Sequence, residues 1–401
     1  MHSSSAKSPD TQSLNPKSPS GRPAVGIIGG GQLARMLAQS ATCLGCEVVV
    51  VENTADCPAA SVSARLIKGN TSDLAALREL AATCDVLTLE NEFIDFRLLA
   101  SLEAEGHYVR PSAATMEKVQ DKLVQKQALE AAGLAVPAFR AVSQPQEVAE
   151  AAATLGWPLV LKKRRNGYDG KGNATVRSAA EIADAWAKLD GDTCELYVEQ
   201  FCPFTAELAI IITRSAAGES VAYPLVTTVQ KDHICHVVSV PADVPAALAA
   251  QAESMARRAI TAMDGIGSFG VEMFLLADGT ILINELAPRV HNSGHYSIEG
   301  TVCSQFENHI RAVVGWPLGS TELRAPAVVM VNLLGHAEGQ GTPSGVSAAL
   351  SVPGAHLHLY GKALSKPGRK MGHITALGSS VPEALNTART AADHLYFGTS
   401  S

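Results

Sequence analysis

A chain of 401 residues, 46% hydrophobic and 18% charged, is too long for one small core and has the composition of two or three ordinary globular domains. Its formal net charge of -7 and pI near 6.0 exclude the broad basic face of a nucleic-acid binder, while leaving room for a local cationic pocket. The longest apolar run, "APAVVMVNLLG", falls short of the roughly 18 to 20 residues that span a bilayer, so a soluble chain with no membrane partner is expected. The eight cysteines (43, 46, 57, 84, 194, 202, 235, 303) are scattered through helices and strands and read as reduced thiols of a cytosol-like compartment. Cys43 and Cys46 have redox spacing, but they sit at a helix end away from other candidate chemistry.

Residues 1–22 are Ser/Pro-rich without an apolar period, which predicts a disordered tail. "AVGIIGGGQLARMLAQSATCLGCEVVVVEN" then reads strand, glycine turn, helix, strand; "CDVLTLENE" and "HYVRPS" supply two more strands of a Rossmann-like first domain over 23–115. "GGGQL" at 29–33 opens a helix whose amino end can hold an anion, and Glu52 ends the second strand where a ribose-binding carboxylate would stand. A nicotinamide cofactor is therefore one reading of this stretch, with Ala34 a tolerated departure from the third glycine.

"TMEKVQDKLVQKQALEAAG" predicts a helix closed by Gly133. "PLVLKKRRNGYDGKGNATVR" reads strand, glycine loop, strand. Gly167, Gly170 and Gly172, with Lys162 ending the first strand, suit a flap whose backbone comes close to phosphate. A strand follows the loop, so it is not a P-loop; a solvated basic hairpin is the plainer alternative. "CELYVEQFCPFTAELAIIITRS" gives two more strands, and a long helix runs from about 245 to 263.

In "GVEMFLLADGTILINE" a turn at Asp278-Gly279 pairs residues whose numbers sum to 557, setting Glu272 opposite Glu285 with Cβ atoms roughly 5 Å apart. A three-residue loop would shift that register. Like charges so placed call for a cation, and oxygen donors suit Mg²⁺ bridging nucleotide phosphates, although two exposed carboxylates would also fit the sequence. "APRVHNSGH" adds Arg289, His291, Asn292, Ser293 and His295; it has the His-x3-His spacing of zinc sites without the remaining ligands, so a substrate pocket is the better reading. A helix near 301–314 follows. From about 325 come short strands with Gly/Pro turns, then a final helix near 381–394. Lys362, Arg369 and Lys370 in "YGKALSKPGRKMGH" suffice for a phosphate monoester, or form a plain surface loop.

The stretches "GGGQLARML", "TLENE", "QDKLVQKQ", "KKRRNGYDGKGN", "VEQFCPFTAE", "GVEMF", "INELAPRVHNSGH", "SQFENHIRAVVGWPLG" and "GRKMGHIT" follow one another from residue 24 to about 376. Together they resemble the ATP-grasp superfamily and, within it, the 5-(carboxyamino)imidazole ribonucleotide synthase family of purine biosynthesis. The resemblance implies an α/β (α+β) ATP-grasp fold with three parts: the Rossmann-like pre-ATP-grasp domain, an ATP-grasp domain over 116–320 with its lid at about 137–205, and a small β-rich C-terminal subdomain over 325–396 completing the active site. ATP would fall to Lys122, Lys162, Gly167, Tyr168, Asp169, Gly170, Lys171, Gly172, Asn173, Glu199, Gln200, Phe201, Cys202, Glu207, Gln230, Asn284 and Glu285. Gln230 stands where the family often has histidine, and Val290 where it commonly has proline. Glu272 and Glu285 would ligate Mg²⁺, with Mn²⁺ as a substitute. The ribonucleotide would contact Gln32, Leu33, Glu90, Asn292, Ser293, Lys362, Arg369 and Lys370, with Tyr168, Asp169, Arg289 and His291 as the catalytic set.

The implied activity is ATP-dependent carboxylation of 5-aminoimidazole ribonucleotide with bicarbonate, through carboxyphosphate, by a cytoplasmic homodimeric C–N ligase. His291 is the first candidate base, and the phosphate of carboxyphosphate the second. Two rivals are a formate-dependent glycinamide ribonucleotide formyltransferase, whose usual aspartate is absent at Asn292, and a nicotinamide oxidoreductase, which leaves the Glu272/Glu285 pair without a purpose.

Overall fold

The computed structural model describes residues 21–167 and 172–398; the tail expectation lies almost wholly outside these residues, as do Tyr168, Asp169, Gly170 and Lys171. Runs of valine and isoleucine build the first sheet. Arg65–Lys68, Glu47–Glu52, Ala24–Ile28 and Val86–Leu89 lie side by side in that order, all parallel, with Ile27, Ile28, Val50 and Val51 fully buried. Parallel strands covered on both faces need such continuous apolar runs. The strand expected at "HYVRPS" reduces to a single bridge, Val109 with Leu87, because Pro111 has no N–H to extend the ladder.

The helix expected before Gly133 is two helices, Ala113–Gln120 and Lys122–Ala131. Asp121 parts them. Fully buried, with φ -96° and ψ 106°, it accepts from the N–H of Leu123 (3.0 Å) and Val124 (3.3 Å) and so caps the second helix. The same carboxylate takes Arg164 Nε at 3.0 Å and Nη2 at 2.5 Å, a use that a continuous helix would have turned away from.

The stretch expected to form the lid is an antiparallel sheet in the order Phe139–Val142, Leu196–Gln200, Leu159–Lys163, Asn173–Val176. Helices Pro145–Leu155 and Ile182–Lys188 cover it through Val148, Ala151 and Trp186. The remaining long strands form one nine-stranded sheet. Its path runs Ile281–Ala287, Gly267–Leu276, Phe204–Arg214, Val226–Lys231, Ile234–Val240, Ala327–Leu334, Lys370–Gly378, Ala355–Leu359, and the short ninth strand, Ser220–Ala222, pairs with the end of Phe204–Arg214 off that path. The strands after 325 are thus not all short: two have eight and nine residues, and they extend the sheet that carries Glu272 and Glu285. Helix Val381–Ala392 buries Ala384, Ala388 and Ala391 against them. Helix Gln305–Val314 packs Phe306, Ile310 and Val313 on helix Gln32–Cys43, locking the first domain to the sheet. No helix among the described residues is long and apolar enough to cross a membrane.

Candidate active site

First domain, lid and large sheet meet around a cleft of about 1550 Å³. Its floor holds the hairpin Gly267–Leu276/Ile281–Ala287. Leu275 pairs with Ile281, Phe274 with Leu282 and Met273 with Ile283, because a three-residue turn at 277–279 closes on Leu276 N–H to Thr280 O (2.9 Å). Continued, that register would set Glu272 against Asn284. A bulge beside Glu272 absorbs Asn284 as an extra residue, and Glu272 comes opposite Glu285. The expected pairing is present, but the two-residue turn proposed for it is corrected. The bulge also lets Asn284 and Glu285 both face the cleft, which strict alternation along a strand forbids.

Burial and the neighbouring Glu285 push Glu272 up to about 7. Burial would raise Glu285 too, but the Lys122 ammonium, hydrogen-bonded to it, holds it below its ordinary value. Among the described residues no third His, Cys, Asp or Glu completes a metal cluster. Two hard oxygen donors facing a cleft fit a Mg²⁺ that draws its other ligands from phosphates and water.

A second charge cluster joins lid to floor. The Glu199 carboxylate, 2% exposed, takes Lys162 Nζ at 2.5 Å, Lys126 Nζ at 3.1 Å and the Tyr197 hydroxyl at 3.0 Å. Burial acts to raise Glu199, yet the two lysines hold it at about 2; burial draws Lys126 down to about 8. Lys126 also donates to Ile283 O (3.2 Å), and Gln125 grips Leu286 by its N–H (2.8 Å) and its carbonyl (3.1 Å). Helix Lys122–Ala131 therefore rivets the carboxylate strand on one side and the lid on the other. Lys126 and Gln125 escaped the sequence reading, although Lys122 and Lys126 at i,i+4 already share one helix face.

Arg289 makes a two-point ion pair with Glu92, with Nη2 to Oε1 at 2.9 Å, and Glu92 was likewise not foreseen. His291 Nδ1 lies 2.8 Å from Ser293 Oγ and accepts from Ser293 N–H (3.4 Å), while Nε2 sits 3.4 Å from Glu272 Oε1. Burial, Arg289 and Lys370 push His291 down to about 3, so it is neutral and a weak proton acceptor. Asn292 and Asn332 exchange amide hydrogen bonds of 3.0 and 2.6 Å, another partner unmarked in the sequence.

The first-domain glycine turn is not an anion site. Gly30 N–H is taken by Glu52 Oε2 at 2.9 Å, and a Cβ on Gly31 would lie 2.0 Å from Glu90 Oε1. Two carboxylates occupy the ground where a dinucleotide pyrophosphate would lie, which removes the nicotinamide reading.

Of the expected nucleotide positions, Lys122, Lys162, Gly167, Gly172, Asn173, Glu207, Gln230, Asn284 and Glu285 line the cleft. Glu199 and Gln200 end a lid strand and Phe201 and Cys202 lead to the next strand; these four are not among the lining residues. Gln32, Leu33, Glu90, Asn292, Lys362, Arg369 and Lys370 line the same cleft, while Ser293 turns to His291.

Three domain families match the chain in order. They are the ribonucleotide synthetase preATP-grasp domain over 23–120, the ATP-grasp domain over 127–306 and the phosphoribosylaminoimidazole carboxylase C-terminal domain over 328–387. The N5-carboxyaminoimidazole ribonucleotide synthase of Synechococcus elongatus is 42% identical over 91% of this chain and 93% of its own length. That of Mycobacterium bovis is 42% identical over 94% and 88%. The crystal structure of N5-carboxyaminoimidazole synthase from Aspergillus clavatus, in complex with ADP and 5-aminoimidazole ribonucleotide, superposes with a TM-score of 0.84 at 38% identity, covering 93% of this chain and 98% of the other.

Proposed function

The chain belongs to the N5-carboxyaminoimidazole ribonucleotide synthase family of ATP-grasp enzymes and catalyses the ATP-dependent carboxylation of 5-aminoimidazole ribonucleotide in purine biosynthesis; we propose that it uses bicarbonate, through carboxyphosphate, at the cleft described above. The observation that carries this assignment of the site is the Glu272/Glu285 pair facing the same cleft as Lys122, Lys162 and the cationic loop at 362–370.

ATP lies between lid and floor. Bicarbonate oxygen attacks the γ-phosphorus, the bond to the β-phosphate oxygen breaks, and ADP leaves. Glu272 and Glu285 would hold Mg²⁺, which when bound neutralises charge on the phosphoryl oxygens. Lys162, fixed by Glu199, and Lys122 add positive charge on the same side. The ribonucleotide lies at the opposite end, its phosphate on Lys362, Arg369 and Lys370. Its exocyclic amine attacks the carboxyl carbon of carboxyphosphate, or CO₂ released from it, and phosphate departs. Since His291 is a weak acceptor, the amine proton goes to that phosphate, while Arg289 and His291 orient the carboxyl group. Tyr168 and Asp169 belong to the proposed lid contacts, which shield carboxyphosphate from water.

Eight free cysteines support a reducing cytoplasm, and a homodimer is part of the same reading, to be checked by sedimentation. ADP release should require 5-aminoimidazole ribonucleotide with bicarbonate. ADP formed instead with glycinamide ribonucleotide and formate would replace this reading by the formyl-transfer one.

A further inference from the structure

The cationic loop leaves the large sheet after Tyr360 and returns at Lys370, and its ends are tied together beneath the cleft. Leu359 pairs with Gly372, and Tyr360 N–H reaches Met371 O at 3.0 Å. Lower still, the Tyr360 hydroxyl lies 3.0 Å from His373 Nδ1, and both side chains are buried. His373 packs against His295, with ring centres 5.2 Å apart.

His295 closes the turn that carries Arg289, His291 and Asn292, and the fully buried Gln305 organises that turn. Its Oε1 accepts His291 N–H (3.0 Å), and its Nε2 donates to His291 O (2.8 Å) and to His295 Nδ1 (3.1 Å). A backbone N–H only donates, so the amide orientation is fixed. His295 Nδ1 must accept, leaving its ring proton on Nε2. Burial holds His295 and His373 well below the ordinary histidine value, with the charges of Lys370 and Arg289 adding to the effect on His295, so both stay neutral.

Such a cluster invites a reading as a proton path, and its geometry rejects one. His373 and His358 are stacked face to face, 4.4 Å apart and 11° from parallel, so their in-plane nitrogens do not point at each other. Nε2 of His295 and of His373 finds no hydrogen-bond partner among the described residues, a cost that aliphatic side chains would not carry. What the cluster does join is the phosphate loop and the carboxylating turn.

We infer that Tyr360, His373, His295 and Gln305 are positioning residues, a buried neutral strut that holds the loop at 362–370 in register with Arg289, His291 and Asn292. It sets the span between the ribonucleotide's phosphate and the point where its amine meets the carboxyl group. The inference rests on the proposed phosphate role of that loop.

Tyr360→Phe keeps the ring and removes the tie. It should raise the KM for 5-aminoimidazole ribonucleotide about tenfold, with kcat within about twofold and the KM for ATP unchanged. It should also lower Tm, because His373 Nδ1 is left unpaired. Tyr360→Phe combined with His373→Leu removes both partners, so Tm should recover while the ribonucleotide KM stays high. A KM that recovers along with Tm would make the tie merely structural and overturn the inference. Arg369→Ala separates the two readings. A raised ribonucleotide KM there beside a wild-type KM in Tyr360→Phe sinks the strut alone. An unchanged KM in Arg369→Ala sinks the phosphate assignment and the strut with it.

Discussion

Glu199, buried, and Glu272, half-buried in the wall of the cleft, end in opposite states. Glu199 brings its cations with it: Lys126 from the helix beside the floor and Lys162 from the lid hold it ionised, down to about 2. Glu272 faces another carboxylate, and the nearest lysine is bonded to Glu285, so Glu272 is pushed up to about 7. One cluster is electrically complete within the chain and serves as a joint between lid and floor. The other has a lysine for Glu285 alone, and on the proposed function the cation that Glu272 lacks comes from outside. A buried carboxylate thus reads as architecture or as a site according to whether its counter-charge is part of the same chain.

The contrast can be broken most sharply at Glu285. Glu285→Gln should lower turnover by roughly a thousandfold while circular dichroism and Tm stay near wild type; near-normal turnover with Mg²⁺ would erase the distinction between the two clusters. Glu199→Gln should do the reverse in kind, leaving Lys126 and Lys162 buried without their counter-charge at a cost of about 3–5 kcal/mol in urea denaturation.

The same carboxylate predicts an acid limb. Glu199 falls from an ordinary 4.5 to about 2 on folding, so its stabilisation is complete above pH 4.5 and lost as pH drops towards 2. It amounts to about 3 kcal/mol, and Glu199→Gln should flatten that part of the stability–pH curve. The smallest effect has the opposite sign. Glu272 rises from 4.5 to about 7, so it erodes stability as pH climbs through that window. Glu272→Gln should stabilise the ligand-free protein by about 1 kcal/mol at pH 8 and by almost nothing at pH 4.5, while losing turnover. A destabilised Glu272→Gln at pH 8 would show that the facing charges are already compensated.

Much of this was legible in the chain because it is written in short-range patterns. Valine runs gave the parallel strands of the first domain, and the strands flanking the glycine loop gave the hairpin Leu159–Lys163/Asn173–Val176. The Glu272/Glu285 pair came from a register count whose turn was one residue too short; a bulge at Asn284 supplied the missing residue, and no local pattern announces a bulge. Asp121 looked like a helical residue because its real partners, Arg164 and Arg165, lie far along the chain. Lys126 and Gln305 were missed for the same reason. Buried polar groups are defined by what surrounds them, and the alternation of polar and apolar residues does not record that.

The sheet that runs unbroken from Ile281–Ala287 to Ala355–Leu359 bears on how this protein can be re-engineered. A cut near residue 325 would not release a detachable cap. It would strip Ala327–Leu334 from Ile234–Val240 and leave Val237, Val238 and Val240 along a raw edge, ready to recruit a strand from another molecule. Chimeras that exchange ribonucleotide preference with a relative should therefore place their crossovers in loops such as 361–369, carrying the sheet across intact. A graft taken at the sequence boundary would be expected to aggregate before its specificity could be assayed.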